Sequence, residues 1–240
     1  MKTLSFILIT LLAGAAAGTV LSTLNQGIVE PYIERAIALE NRKAAMNGEM
    51  LNPIEFDNYR VWQKGGEIAA GTILGTSYGA LFGIVFAYSR KSIPGSSERR
   101  KALILAGVML LVLYIVPALK YPANPPAVGD PETIYLRQSL YITYLTISGF
   151  SALGLAFLYR KLGQKQVKKA IVPAMYAGIM IVTYVAMPPS PDAITAPMDL
   201  VMAFRIASGF TMGVFWGLLG VILGTFWQKL KPHENAKITV

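Results

Sequence analysis

The sequence predicts an all-α fold, a polytopic integral membrane bundle of six transmembrane helices forming a single membrane domain over residues 1–240. Three observations predict it. The chain is 54% hydrophobic and only 15% charged, where a soluble domain carries about 25% charged residues. Its mean hydropathy is +0.48. Six apolar stretches, at about 4–24, 67–88, 102–119, 140–158, 170–187 and 202–227, approach the ~20 helical residues that cross a hydrocarbon core of ~30 Å.

Helix is the conformation these stretches require, because lipid cannot satisfy backbone N–H and C=O groups and the runs lack the alternation of barrel strands. The third and fifth are the shortest. The first has two readings. Met1-Lys2, an apolar run and Ala15-Ala16-Ala17 fit a cleavable signal peptide. The length of the run and the spacing of Gly14 and Gly18 predict a retained helix instead. Lys2 stays on the same side either way.

Lysine and arginine set the orientation. Fourteen of the 22 lie at one end, in residues 1–3, 90–101, 160–169 and 229–237. That end is predicted to be cytoplasmic, with both termini there and the chain in the plasma membrane. Of the acids, only Glu98 and Glu234 share that side. The positive-inside bias alone accounts for the asymmetry. A second reading is an external funnel that concentrates cations.

Residues 25–66 read as a long external loop. Within it, Pro31–Glu40 spaces Ile33, Ala36, Ile37 and Glu40 as a short amphipathic helix with Pro31 in its first turn. Tyr59 and Trp62 suit headgroup depth. The second span places Gly71, Gly75, Gly79 and Gly83 every fourth residue, and the sixth carries Gly209, Gly213 and Gly217, then Gly220 and Gly224. Such rows make smooth grooves for close backbone approach, and predict that these two helices form the centre of the bundle. A glycine-lined solute path is the functional alternative. Residues 228–240 form a cytoplasmic tail that holds the single histidine, His233.

Two proline-rich external loops follow the third and fifth spans. In the first, Asp130, Pro131 and Glu132 have the order of a helix cap, a first helical residue and a first-turn acid. The alternative is that Asp130 and Glu132 are oxygen ligands at a pore mouth. Glu67, Asp192 and Asp199 also lie at external ends of spans. Together, Glu67, Asp130, Glu132, Asp192 and Asp199 are the candidate external cation mouth. Each loop sets an acid ahead of an arginine, Asp130 before Arg137 and Asp199 before Arg205, and these pairs can bridge within their own helix starts. Arg205, just inside the sixth span, is an intramembrane charge that needs a partner or water.

The stretch running from Lys120 to Ile134, with Pro122, Asn124, Pro125, Pro126, Gly129, Asp130, Pro131 and Glu132 in it, resembles the signature of the CbtA family of cobalt transporter subunits. Pro31-Tyr32-Ile33-Glu34-Arg35-Ala36, Asp199-Leu200 and Phe204-Arg205 resemble the same family. The resemblance implies a small multi-pass protein acting in cobalt uptake for cobalamin synthesis, with a small single-span, histidine-bearing partner, CbtB. Families of this kind are usually described with about five spans.

The residues bear on that expectation directly. Divalent cobalt favours imidazole nitrogen and accepts oxygen. This chain has no cysteine and one histidine, and its ten methionines are read as packing. It therefore predicts no resident cofactor, with cobalt as a transported substrate held weakly by oxygens or by ligands from a partner. There is no phosphate-binding Gly-x-x-x-x-Gly-Lys-Ser/Thr loop. No span pairs serine with histidine or carries two carboxylates, so no catalytic residues and no enzyme are predicted. The expected partners are the lipid bilayer, a second copy of the chain and the CbtB-like protein, and not nucleic acid. The competing reading is a structural or assembly role, in which the glycine grooves hold another membrane protein.

Overall fold

A computed structural model of the chain describes residues 3–48, 52–126, 128–161, 168–191, 194 and 196–232. They form helices α1 (Thr3–Ile28), α2 (Glu30–Met46), α3 (Pro53–Ser89), α4 (Glu98–Leu110), α5 (Val116–Lys120), α6 (Ile134–Lys161), α7 (Lys168–Ala186) and α8 (Met198–Leu230). A π-helical turn at Leu111–Ile115 joins α4 to α5, so that Glu98–Lys120 is one rod. A 3-10 turn at Pro131–Thr133 leads into α6. Among the described residues there is no strand.

Five rods are long and apolar enough to cross a membrane: Thr3–Ile28, Ile54–Ser89, Glu98–Lys120, Pro131–Tyr159 and Met198–Leu230. The sixth apolar helix, Ala170–Ala186, is shorter. The 19 residues of α7 reach about 28 Å at ~1.5 Å per residue. Its direction follows from α6. The Tyr144 hydroxyl bonds the Met180 carbonyl, and Ser148 meets Tyr176. A step of four residues along α6 thus matches four steps back along α7, and the pair is antiparallel.

The expected loop over 25–66 is mostly helical. Only Val29 separates α1 from α2, and α2 continues to Met46 before Gly48, at φ +84°, ends the run. The α3 helix begins at Pro53, well ahead of its apolar stretch, with the Asn52 side chain accepting the Ile54 N–H at 3.1 Å. Proline at the first helical position and asparagine at the cap explain that early start. Tyr59 and Trp62 stack on this extension with ring centroids 6.3 Å apart, and both are exposed.

The two glycine-row helices do not together form the centre of the bundle: α8 lies between α1 and α4, whereas α3 packs mainly on α1. The α3 row packs on α1. A Cβ added to Gly75 would lie 2.5 Å from the Gly14 carbonyl oxygen, and one on Gly14 would lie 2.8 Å from the Gly79 Cα. Gly18 faces Gly71 and Gly75, while Thr10 and Ser22 cover Gly83 and Gly71. A smooth groove is best filled by an equally smooth face, and α1 provides it. The α8 row divides. Gly220 and Gly224 meet Ala102, Ala106 and the Arg99 backbone of α4, Gly209 touches only the Tyr114 ring, and Gly213 and Gly217 have no atom within 4 Å of an added Cβ. The resulting order places α1 between α3 and α8, and α8 between α1 and α4. The π turn joins this group to α6, on which α7 packs.

One apolar core gathers α1, α3, α4 and α8 around Phe82, Phe86, Phe215, Trp216 and Trp227. Trp227 meets Phe86 edge-on at 5.0 Å and Phe6 at 5.9 Å. Each such pair contributes about 0.5–1.5 kcal/mol beyond its area. Elsewhere Leu12, Ile73, Phe150 and Val185 are exposed, the arrangement expected where hydrocarbon rather than water is the solvent.

Candidate functional site: the capped end of the bundle

At the end where α1 leaves the bundle, α2 and the two proline loops form a cap over the start of α8. The α2 helix supplies the floor. Val29, Tyr32 and Ile33 pack on Phe204 and Ala207, and Ala36 packs with Leu200 and Val128. The loop after α5 lies across this surface with Pro125 fully buried and Val128 6% exposed. Its prolines fix φ at several points and lower the entropy lost on ordering. Gly129 turns the chain at φ +110°, a conformation that side chains rarely adopt. The Tyr121 hydroxyl donates to the Pro188 carbonyl at 2.6 Å and ties the two proline loops together. The Lys120 ammonium stands 4.5 Å from the Tyr184 ring centroid.

Arg205 fastens the loop. Its Nε donates to the Ala123 carbonyl at 3.0 Å and its Nη2 to the Asn124 side-chain oxygen at 2.7 Å. Among the described residues it forms no ion pair with Asp199, the partner expected from the sequence. Asp199 is exposed in the first turn of α8, where the helix N-terminus favours an acid. The charge on Arg205 is answered by dipoles from the loop instead.

The candidate mouth residues occupy different places. Asp130 caps: its Oδ1 accepts the Glu132 N–H at 2.9 Å, and its carbonyl accepts from the Thr133 N–H and from Arg137 Nη2. Asp130 and Glu132 are both exposed. Glu67 is half-buried on α3 and accepts from Gln26 Nε2 at 3.2 Å, while the same Gln26 nitrogen donates to the Lys64 carbonyl at 2.7 Å. Asp192 and His233 lie outside the described residues. Among the described residues, no group of three or more His, Cys, Asp or Glu is placed to hold a metal ion.

One charged cluster is not evident from the sequence. Glu30 of α2 is 7% exposed and pairs with Arg60 of α3, with Lys64 3.6 Å away. Lys64 also pairs with Glu34. The signal is present as two rows of matching spacing, Glu30-x-x-x-Glu34 and Arg60-x-x-x-Lys64. It is hidden because residues 53–66 read as loop, without a helix face. These pairs hold α2 against α3, flanking a cleft of about 370 Å³ lined by Asn41, Phe56 and Asp57 among others.

The cap thus offers carbonyls, one amide, a guanidinium and dispersed carboxylates. In the bonds described, this donor set orients the loops and caps the helix starts. It contains no nitrogen-rich pocket. The segments that carry the family resemblance meet in it: Tyr32 and Ile33, the loop from Ala123 to Val128, Leu200, and Phe204 with Arg205.

No curated protein and no solved structure matches the chain significantly. A family model described as a probable cobalt transporter subunit, CbtA, matches residues 3–228, nearly the whole chain. With its apolar rods and its cap built from the matching segments, the chain belongs to the CbtA family of probable cobalt transporter subunits.

Proposed function

We propose that this protein is the membrane subunit of an uptake system for cobalt, or a divalent transition metal of similar chemistry, that supplies cobalamin synthesis. The observation that carries the reading is the family match over residues 3–228. The activity is transport rather than catalysis. The chain acts in the plasma membrane with both termini in the cytoplasm and the cap outside. Exposed Lys91, Arg99, Arg100 and Lys229 at the opposite end support that orientation. Glu67, Asp130, Glu132, Asp192 and Asp199 draw cations toward the cap by charge. A small single-span, histidine-bearing protein of the CbtB kind supplies nitrogen ligands beyond this chain's single imidazole, His233.

The test is radiocobalt accumulation in cells carrying the chain with and without its histidine-bearing partner. Accumulation above background that falls in Asp130→Asn and Glu132→Gln, with the protein level unchanged, is expected. No accumulation in either condition overturns transport. A second reading, a structural subunit that holds another membrane protein, is favoured by the open face at Gly213 and Gly217. Recovery of the intact chain with an unrelated membrane complex, together with normal cobalt handling in its absence, would favour it.

A further inference from the structure

The third rod contains a defect with a chemical cause. Pro117 has no amide hydrogen, and in a regular helix its ring would crowd the carbonyl four residues back. The backbone widens ahead of it into the π turn, where the Val116 N–H bonds the Leu111 carbonyl. In that register the donor for the Val112 carbonyl would be residue 117, which is proline. Ser148 of α6 takes its place. It is fully buried and donates to the Val112 carbonyl at 2.6 Å. Its only proton is committed there, so the Tyr176 hydroxyl of α7, 2.7 Å away, donates to Ser148. Three oxygens from three segments meet near mid-span.

Their position matters. The main apolar core draws its buried residues from α1, α3, α4 and α8 and none from α6 or α7. The α6–α7 hairpin has its own cluster at Tyr144 and Met180, joined to Tyr121 after α5. Between hairpin and core runs a seam, where a Cβ on Gly149 would lie 3.5 Å from Leu113 Cδ2. The Ser148–Val112 bond crosses this seam within the spans.

We propose that the transported cation crosses along this seam, and that the Val112 carbonyl with the Ser148 and Tyr176 hydroxyls is its transit site, closed at rest by the hydroxyl relay. The proposal rests on the transport reading. Irregular backbone at membrane depth is tolerated where it is buried in protein or lines a path, and transporters use such carbonyls for ions. Neutral oxygens hold a divalent cation weakly, as an ion that must leave again requires. Among the described residues, no group of three or more His, Cys, Asp or Glu offers a competing site.

The chain has no cysteine, so introduced thiols report alone. Leu113→Cys should react slowly with a hydrophilic, positively charged methanethiosulfonate in the full-length protein in vesicles. Adding Ser148→Ala should raise the rate roughly tenfold, the effect of losing a buried hydrogen bond. Bridging Leu113→Cys to Gly149→Cys with 1,2-ethanediyl bismethanethiosulfonate should stop cobalt uptake, and reductant should restore it. Uptake that persists through complete bridging overturns the route and leaves the transport reading standing. Absence of uptake by the parent chain with its partner counts against transport itself. The labelling then decides the seam: equal rates with and without Ser148, or no reaction in either, overturn it.

Discussion

Arg205 and Asn124 are 81 positions apart in the chain, yet the guanidinium Nη2 of one lies 2.7 Å from the side-chain oxygen of the other. With the second bond to Ala123, this contact converts a proline-stiffened loop into a fixed cap on α8. Arginine suits the role because two nitrogens in a rigid fork reach two acceptors at once.

Removing the fork should loosen the cap. Arg205→Met is expected to lower the melting temperature in detergent by about 4–8 °C, from ~2 kcal/mol in a chain of this size. Arg205→Lys should recover only part of that. A double-mutant cycle with Asn124→Ala should show coupling of about 1 kcal/mol. Additive losses would mean that the two side chains act independently.

Glycine positions should divide sharply. Gly75→Ala drives a Cβ to 2.5 Å from a backbone oxygen of α1 and is expected to cost about 1–3 kcal/mol as the helices separate. Gly213→Ala meets nothing within 4 Å and should be neutral, or stabilise by up to ~1 kcal/mol through helix propensity. Thermal unfolding of the two variants side by side checks this. Equal losses would show that Gly213 is covered by another helix in the preparation.

The buried pair between α2 and α3 should be asymmetric. Glu30→Gln leaves Arg60 without its charge partner in a largely buried place, and should destabilise by about 3 kcal/mol. Exchanging both, Glu30→Arg with Arg60→Glu, should restore much of that. Melting temperatures of the single and double variants measure the recovery, and a double variant no better than the worse single would refute the pairing.

Asp130 separates capping from ion attraction. Asp130→Asn keeps an oxygen for the Glu132 N–H, and asparagine caps about as well as aspartate, whereas Asp130→Ala should cost about 1 kcal/mol. Cobalt accumulation that drops in Asp130→Asn at unchanged melting temperature assigns the charge to the ion. A loss confined to Asp130→Ala assigns it to the cap.

Much of this architecture was legible along the chain. Run length and hydropathy are one-dimensional properties that hydrocarbon reads directly, so the helical class and the apolar rods followed from them. The α3 glycine spacing announced a close contact because every fourth residue lies on one helix face. The proline loop and the order Asp130-Pro131-Glu132 carried the family signature and the local cap. Other features needed the third dimension. Nothing in the spacing of Gly71 to Gly83 says that α1 rather than α8 fills the groove, since several small-residue faces compete and only global packing selects one. Arg205 bonds to Asn124 rather than to nearby Asp199 because the fold brings loop acceptors to its guanidinium. Pro117 disturbs its helix through its own ring, but that Ser148 and Tyr176 answer the carbonyl it orphans was decided by α6 and α7 arriving at that depth. Local preferences act between neighbours in the chain, while partners distant in sequence are chosen only when the whole bundle closes.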